Sequence, residues 1–156
     1  MYLVGLIDDI YDLKPYIKLT GQIVAALVVT LYGITIDFIS LPMGPTIHFG
    51  FLSIPITVIW IVAITNAINL IDGLDGLASG VSAIGLMTIG FIAILQANIF
   101  IIMICCVLLG SLLGFLFYNF HPAKIFLGDS GALMIGFIIG FLSLLGFKNI
   151  TFIALF

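Results

Sequence analysis

Five apolar runs, each close to the length of a helix that crosses a bilayer, constrain the fold of this chain more than any other feature. They cover residues 19–36, 51–70, 78–95, 99–117 and 132–147. A helix needs about 20 apolar residues to cross the hydrocarbon core. Because lipid offers no partner to backbone N–H and C=O groups, only helices and closed barrels span it. The runs therefore predict an all-α fold, a polytopic transmembrane helix bundle with about five full spans.

Shorter segments flank and interrupt these runs. Residues 1–7 have the composition of the end of a helix and residues 150–156 that of the beginning of another, which gives two partial spans. Residues 37–50 contain two prolines and two glycines among alternating apolar residues. This pattern is typical of a short hairpin outside the hydrocarbon core, on the extracytoplasmic side. We expect residues 1–156 to form a single integral membrane domain.

Charged side chains are scarce, and this scarcity excludes several classes of function. Of the 156 residues 63% are hydrophobic and 7% are charged, with a mean hydropathy of +1.44. Soluble domains have roughly 25% charged residues. The net charge is -3 and the four cations are all lysines, so the chain lacks the basic surface that nucleic acids require. We expect a membrane-lipid environment and no nucleic-acid partner.

Counting the spans places the polar segments on alternating sides of the membrane. One side holds residues 8–18, 72–75 and 118–129, and the other holds residues 37–50, 96–98 and 148. Three of the four lysines lie on the first side, which the positive-inside rule makes cytoplasmic. Six of the seven aspartates join them. Because clustered carboxylates repel one another, a divalent cation or a cationic ligand is expected between them.

The second apolar run ends in the polar segment with the strongest signal. Asn66, Asn69, Asp72 and Asp75 recur at steps of three residues, which predicts that they share one helix face. Their oxygen atoms, beside two glycines that admit a close neighbour, suit Mg²⁺. Aspartate near lipid costs roughly 2.5–3.5 kcal/mol on insertion scales. We therefore interpret the segment as functional, with a polar interhelical loop as the alternative.

Two further segments carry candidate site residues. Asp8 and Asp9 point about 100° apart on a helix, so one can face a metal ion while the other accepts a proton or orients a ligand. Lys18 is a candidate phosphate clamp, or else a snorkelling anchor at the interface. Asp129 lies in a Gly-Asp-Ser-Gly turn that opens the last run. There it either caps the helix or completes a Mg²⁺ site, at a helix N-terminus that also favours the binding of phosphate oxygens.

Three remaining features receive structural interpretations. His121 precedes a proline and is interpreted as a turn residue. Ser130 has no histidine at a meaningful spacing, so we do not expect a hydrolase nucleophile. Gly136 and Gly140 have the small-xxx-small spacing of packed membrane helices, which permits packing against another helix, including one in a homodimer.

The order of these motifs resembles that of a known family, over essentially the whole chain. Three motifs are similar to those of the polyprenyl-phosphate N-acetylhexosamine-1-phosphate transferases: Asp8-Asp9 with KLTGQ at 18–22, NAINLIDGLDGLA at 66–78, and FLGDSG at 126–131. The peptidoglycan branch of that family typically has Thr where this chain has Ile71, which favours the GlcNAc branch. The resemblance implies transfer of GlcNAc-1-phosphate from UDP-GlcNAc to undecaprenyl phosphate in a bacterial cell membrane, beginning wall teichoic acid synthesis.

The resemblance also implies roles for the acidic residues. Asp75 and Asp129 would hold Mg²⁺, with Mn²⁺ as an alternative ion, and Asp72 would support that site. Asp8 and Asp9 would handle the lipid phosphate, one of them as a base or as a nucleophile. All five aspartates are thereby candidate catalytic residues on the cytoplasmic face.

Three further residues would bind substrate, and one difference limits the resemblance. Lys18 would pair with phosphate, while Asn66 and Asn69 would position the nucleotide sugar or the metal shell. Family members have additional spans and a later cytoplasmic loop rich in His and Arg, neither of which occurs in these 156 residues. We therefore expect this chain to be the central part of a longer catalytic domain and to turn over slowly or not at all alone.

Three alternatives stay open at the level of sequence. The first is a UDP-MurNAc-pentapeptide phosphotransferase of peptidoglycan synthesis. The second is an ion or solute transporter subunit, although transporters place ionisable residues at broken helices near the bilayer midplane rather than at span ends. The third is a structural membrane subunit, for which Asp75→Ala and Asp129→Ala leave function intact.

Overall fold

A computed structural model describes residues 1–40 and 46–153 of the chain. Within them lie six α-helices and one two-stranded sheet, which confirms the predicted helical bundle. The helices are α1 Tyr2–Tyr11, α2 Pro15–Leu31, α3 Ser53–Ile71, α4 Leu77–Leu95, α5 Ile99–Asn119 and α6 Gly128–Ile153. The strands are β1 Phe38–Ser40 and β2 Thr46–His48.

Four of the described helices are long and apolar enough to cross a membrane. Their candidate spans are Gly50–Ile71, Leu77–Leu95, Ile99–Asn119 and Gly128–Gly146. The first span expected from the sequence, residues 19–36, differs from helix α2. That helix begins earlier, because Pro15 is tolerated in a first turn, and its 17 residues cover about 26 Å. It ends before Gly33, whose φ of +80° turns the chain out of the helix.

The last helix extends beyond its predicted range at both ends. It begins at Gly128, so Asp129 lies in its first turn, and it continues through Lys148 to Ile153. The expectation that Lys148 closes this span and that a new element begins at residue 150 is therefore wrong for the backbone up to residue 153. Residues 154–156 lie outside the described part of the chain.

The predicted hairpin is present between α2 and α3. β1 and β2 pair antiparallel, with Phe38 opposite His48, and the predicted turn at 41–45 lies outside the described residues. Two hydroxyl groups of α3 fix the approach to the hairpin. Ser53 Oγ donates to the carbonyl oxygen of Ile36 (2.6 Å), and Thr57 Oγ1 accepts the amide of Ile36 (2.9 Å).

Helix α6 packs against α1, α3 and α4, and two glycines explain its close contact with α3. A Cβ atom on Gly136 would lie 2.9 Å from Thr65 Cα, and one on Gly140 would lie 3.4 Å from Ile61 Cα. The small-xxx-small pair thus packs against a helix of the same chain, so it lends no support to a homodimer. This contact brings the end of α3 beside the start of α6.

Candidate active site

Three chain segments meet at one end of the helix bundle. They are the junction between α1 and α2, the turn between α3 and α4, and the segment between α5 and α6. Helix α1 contacts the start of α6 so closely that a Cβ atom on Gly5 would lie 2.3 Å from Ser130 Cα. The three motifs selected from the sequence therefore converge, as the counting of membrane crossings predicts.

Lys18 lies between two of the predicted site acids. Its Nζ is 2.5 Å from Asp8 Oδ2 and 3.3 Å from Asp129 Oδ2. The side chain of Asp8 is only 2% exposed, and its Oδ1 accepts the amide of Leu13 at 2.8 Å. Burial acts to raise the pKa of Asp8, but hydrogen bonds with Asp129, Lys18 and the Leu13 amide bring it below its usual value. The single ammonium group is thus held by carboxylates from two helices.

Asp9 caps the N-terminus of α6 from a different helix. Its Oδ1 accepts the amide of Asp129 (2.8 Å) and its Oδ2 accepts the amide of Ser130 (3.0 Å). The sequence suggested that Asp129 itself caps this helix, whereas the cap is a carboxylate of α1. Gly128 leaves room for it, since a Cβ atom there would lie 3.2 Å from Asp9 Oδ2. The exposed Asp9 therefore occupies a position at a helix N-terminus that favours anions.

The two predicted asparagines have different partners. Asn69 Nδ2 donates to Asp129 Oδ1, which places Asn69 in the acidic cluster. Asn66 instead forms a reciprocal amide pair with the buried Gln22, through contacts of 3.2 and 2.5 Å. Since Gln22 lies one turn beyond Lys18, this pair fixes α2 against α3. A role for Asn66 in substrate binding stays a prediction.

The predicted helix face from Asn66 to Asp75 is interrupted because α3 ends at Ile71. Asp72 follows the last helical residue and receives no side-chain hydrogen bond within the described residues. Partial burial and the charges of Asp129 and Asp9 raise the pKa of Asp72 to about 6. Asp72 thus belongs electrostatically to the acidic cluster, whereas Asp75 lies in the turn beyond it.

Asp75 bonds to the segment that precedes α6. Its Oδ2 lies 2.9 Å from His121 Nδ1 and accepts the amide of Ala123 at 3.1 Å. The Ala123 amide and then His121 hold the pKa of Asp75 below its usual value. The interpretation of His121 as a turn residue missed this partner. No motif at local spacing indicates it, because the contact joins residues 46 positions apart.

Asn119 is a further residue at this end that the sequence motifs did not include. Its Oδ1 accepts the amide of Gly76 (3.1 Å) and the hydroxyl of Ser79 (2.7 Å). Its Nδ2 donates to the carbonyl oxygen of Ile125 (2.9 Å). The only sequence signal is an amide residue at the end of an apolar run. Asn119 joins the start of α4 to the segment before α6.

The two predicted metal ligands, Asp75 and Asp129, contact other side chains in this structure. Among residues 1–40 and 46–153, no three His, Cys, Asp or Glu side chains form a group that could hold a metal ion. Asp129 contacts Lys18 and Asn69, and Asp75 contacts His121. Their joint role as Mg²⁺ ligands stays a prediction.

Comparison with known proteins assigns the chain to a family. Residues 1–147 match the family described as glycosyl transferase family 4. The chain belongs to this family. Its membership agrees with the motifs at 8–22, 66–78 and 126–131 and with the membrane-spanning length of the helices. We conclude that this family 4 chain is a multi-pass membrane protein.

Individual relatives fall into two named groups. A Bacillus subtilis protein named probable undecaprenyl-phosphate N-acetylglucosaminyl 1-phosphate transferase is 49% identical over 149 residues, which cover 94% of this chain and 42% of that protein. Proteins named phospho-N-acetylmuramoyl-pentapeptide-transferase are also similar. That of Levilactobacillus brevis is 43% identical over 130 residues, which cover 80% of this chain and 39% of that protein. That of Streptococcus uberis is 37% identical over 152 residues, which cover 90% of this chain and 45% of that protein. The chain spans less than half the length of these relatives.

Proposed function

We propose that this family 4 chain forms part of an enzyme that transfers GlcNAc-1-phosphate from UDP-GlcNAc to undecaprenyl phosphate and releases UMP. The observation that carries the proposal is the meeting of Asp8, Lys18 and Asp129 at one end of membrane-spanning helices. The polyprenyl chain of the acceptor lies among such helices, while its phosphate reaches the charged end. We place this end at the cytoplasmic face, since three of the four lysines flank it.

The chemistry explains why a cation is held among carboxylates. An oxygen of the acceptor phosphate attacks the sugar-linked phosphorus of the nucleotide sugar, UMP leaves, and one pyrophosphate bond replaces another. The main obstacle is the approach of two anions, since little other chemistry is required of the protein. Lys18 supplies positive charge, and Asp8, buried and ion-paired with it, fixes its position. Asp9 is exposed and better placed than Asp8 to exchange a proton with the acceptor.

The side chains at this end carry oxygen donors of the type that a hard divalent cation prefers. Asp72 has no side-chain hydrogen bond in the described part of the chain and lies close enough to Asp129 to feel its charge. Asn69 donates a hydrogen bond to the same Asp129 carboxylate. Carboxylate and amide oxygens are the ligands that Mg²⁺ prefers, and Mn²⁺ accepts them too. We propose that Asp129 holds the ion together with Asp72 or Asp75. When bound, Mg²⁺ neutralises charge on the transferring phosphate oxygens.

A second donor substrate is supported by the relatives named for muramoyl-pentapeptide transfer, at 37% and 43% identity. The Bacillus subtilis relative named for GlcNAc transfer is more similar, at 49%. We therefore favour UDP-GlcNAc over UDP-MurNAc-pentapeptide. From the resemblance of the three sequence motifs we propose that the product is the first lipid-linked intermediate of wall teichoic acid.

The test is UMP release by the full-length protein in membranes supplied with undecaprenyl phosphate and Mg²⁺. We expect release with UDP-GlcNAc and little with UDP-MurNAc-pentapeptide, and the reverse preference would transfer the protein to the peptidoglycan branch. Chelation by EDTA should abolish release, and Mg²⁺ or Mn²⁺ should restore it. Ion flux in liposomes without UMP release from either donor would contradict the enzyme proposal and favour a transporter. The 156-residue segment alone should release far less UMP than the full-length protein.

A further inference from the structure

Asn119 is a buried carboxamide whose two ends are both used. It is 4% exposed, and its oxygen accepts from Gly76 and Ser79 while its nitrogen donates to Ile125. A buried polar group that loses its partner costs far more than an exposed one. Aspartate accepts but does not donate at neutral pH, and alanine does neither. Asparagine therefore satisfies both sides of this junction at once.

The groups that Asn119 joins belong to two loops that carry site residues. Gly76 ends the turn that contains Asp72 and Asp75. It is the N-cap residue of α4 and has a φ of +72°. The carbonyl of Ile125 belongs to the segment that leads into Asp129. A second connection between the same loops lies at the surface, where Asp75 bonds to His121 and to the Ala123 amide. The buried and the exposed connections therefore join the same two loops.

We propose that Asn119 is a positioning residue of the transferase, which holds the Asp72–Asp75 turn in register with the start of α6. The inference rests on the proposed function, since it assigns these loops to one site. Asn119 touches only protein groups, so it acts through the placement of the acids. Misplacing catalytic groups by about 1 Å costs up to about 100-fold in rate, which sets the scale of the expected effect.

The first experiment compares Asn119→Ala with Asn98→Ala in the full-length protein. Asn98 lies at the opposite end of the same helix, where its Oδ1 caps the Ile101 amide at 3.2 Å. Both variants lose a side-chain hydrogen bond to the backbone, so both should melt earlier. Only Asn119→Ala should lower kcat, by at least about 10-fold, with KM for UDP-GlcNAc changed less than about threefold. Equal kcat losses in the two variants would reduce Asn119 to a stability residue.

The second experiment is a double-mutant cycle with His121→Ala, which removes the side-chain contact of the surface connection and leaves the Ala123 amide contact and the buried connection. If the two connections position one turn, the double variant should be little slower than Asn119→Ala alone. A control cycle of His121→Ala with Asn98→Ala should be multiplicative. Multiplicative losses in both cycles would contradict the proposal. Asn119→Asp, which keeps the acceptor and loses the donor, serves in place of Asn119→Ala if the latter fails to fold.

Hydrogen exchange separates this inference from the transferase assignment. In Asn119→Ala, the amides of residues 72–80 and 121–127 should exchange faster by about 10-fold or more, while those of 96–102 stay unchanged. Unchanged exchange in the two loops would overturn the positioning role even where UMP release falls. Conversely, suppose that the wild-type protein releases no UMP while Asn119→Ala still exchanges faster than wild type in the two loops. That result would support the junction and contradict the proposed reaction.

Discussion

The two ends of the helix bundle treat their acidic side chains differently. At the hairpin end, Asp37 Oδ1 accepts the hydroxyls of Thr35 (2.7 Å) and Ser53 (2.8 Å), so its charge has neutral donors nearby. At the other end, Asp8 and Asp129 share one lysine. Four aspartates of that end lie close enough to interact: Asp8, Asp9, Asp72 and Asp129.

We interpret this difference as one between a structural end and the end that carries the proposed site. Asp37 is hydrogen-bonded to Ser53 and so ties the hairpin to α3. Asp72, in contrast, has its pKa raised to about 6 by burial and by neighbouring acids. A chain selected for stability alone would not gather like charges, whereas active sites commonly do. Substitutions at the two ends should therefore separate activity from stability.

The largest effect is expected from Asp129→Asn. This change keeps the shape of the side chain but removes a charge that contacts Lys18 and Asn69. We expect UMP release by the full-length protein to fall by about 100-fold or more, as for a lost metal ligand. The matched control, Asp37→Asn at the hairpin end, should retain nearly full activity. Similar losses in both variants would mean that the two ends are not functionally distinct.

A smaller loss of activity is expected from Asp72→Asn, together with a gain in stability at neutral and alkaline pH. Because the folded protein holds the Asp72 proton more tightly than the unfolded chain does, wild-type stability is lost as pH rises through about 6. The variant is neutral throughout. In EDTA its Tm should exceed that of the wild type at pH 8, and this advantage should vanish below pH 4, near the ordinary aspartate pKa of 3.8.

The activity of the same variant gives an independent measurement. Wild-type UMP release should decline at acidic pH, where Asp72 takes up a proton, and because bound Mg²⁺ favours the carboxylate this decline should lie below the metal-free pKa of about 6. Asp72→Asn should be slower by about 10-fold and should lack this acidic limb. An unaltered acidic limb in the variant would assign the titration to another group.

A moderate effect is expected when the amide pair between α2 and α3 is broken. Gln22→Ala leaves the amide of Asn66 with fewer partners, and α2 carries Lys18 one turn away. We expect a loss of about 1–3 kcal/mol in stability and about three- to fivefold in kcat. Thr88→Ala is the control, since the exposed Thr88 hydroxyl bonds only within its own helix. The double variant with Asn66→Ala should add little if the two amides act only through each other.

The smallest effect on activity is expected at the hairpin. Ser53→Ala removes the hydroxyl that donates towards Ile36 and Asp37. Stability should fall by about 1 kcal/mol, measured as a lower Tm, while UMP release per folded molecule stays unchanged. A tenfold loss of activity would show that the hairpin end communicates with the acidic cluster.

Local patterns in the sequence were enough to predict four of the five spans and the end at which the motifs meet. Apolar runs and the alternation of sides depend on nearby residues and on bilayer thickness, which the sequence records directly. Contacts between helices depend on packing. For that reason the sequence did not indicate that Asp9 caps α6, or that Gly136 and Gly140 contact α3.

The limits of helix periodicity appear at the end of α3. Steps of three residues predict a common face for Asn69, Asp72 and Asp75, but this holds only while the helix continues. The chain leaves the helix after Ile71, just before Gly73, and Asp75 turns towards His121. The sequence did not predict the contacts of Asn119, because a single amide at the end of an apolar run belongs to no recognisable motif.

The cap on α6 has a consequence for biogenesis. Asp9 and the Asp129 amide that it accepts are 120 residues apart in the chain. A ribosome must therefore deliver α2, α3, α4 and α5 to the bilayer before the first turn of α6 meets its partner on α1. Until then Lys18 lacks one of its two carboxylates, so the acidic cluster stays incomplete while the protein is being inserted.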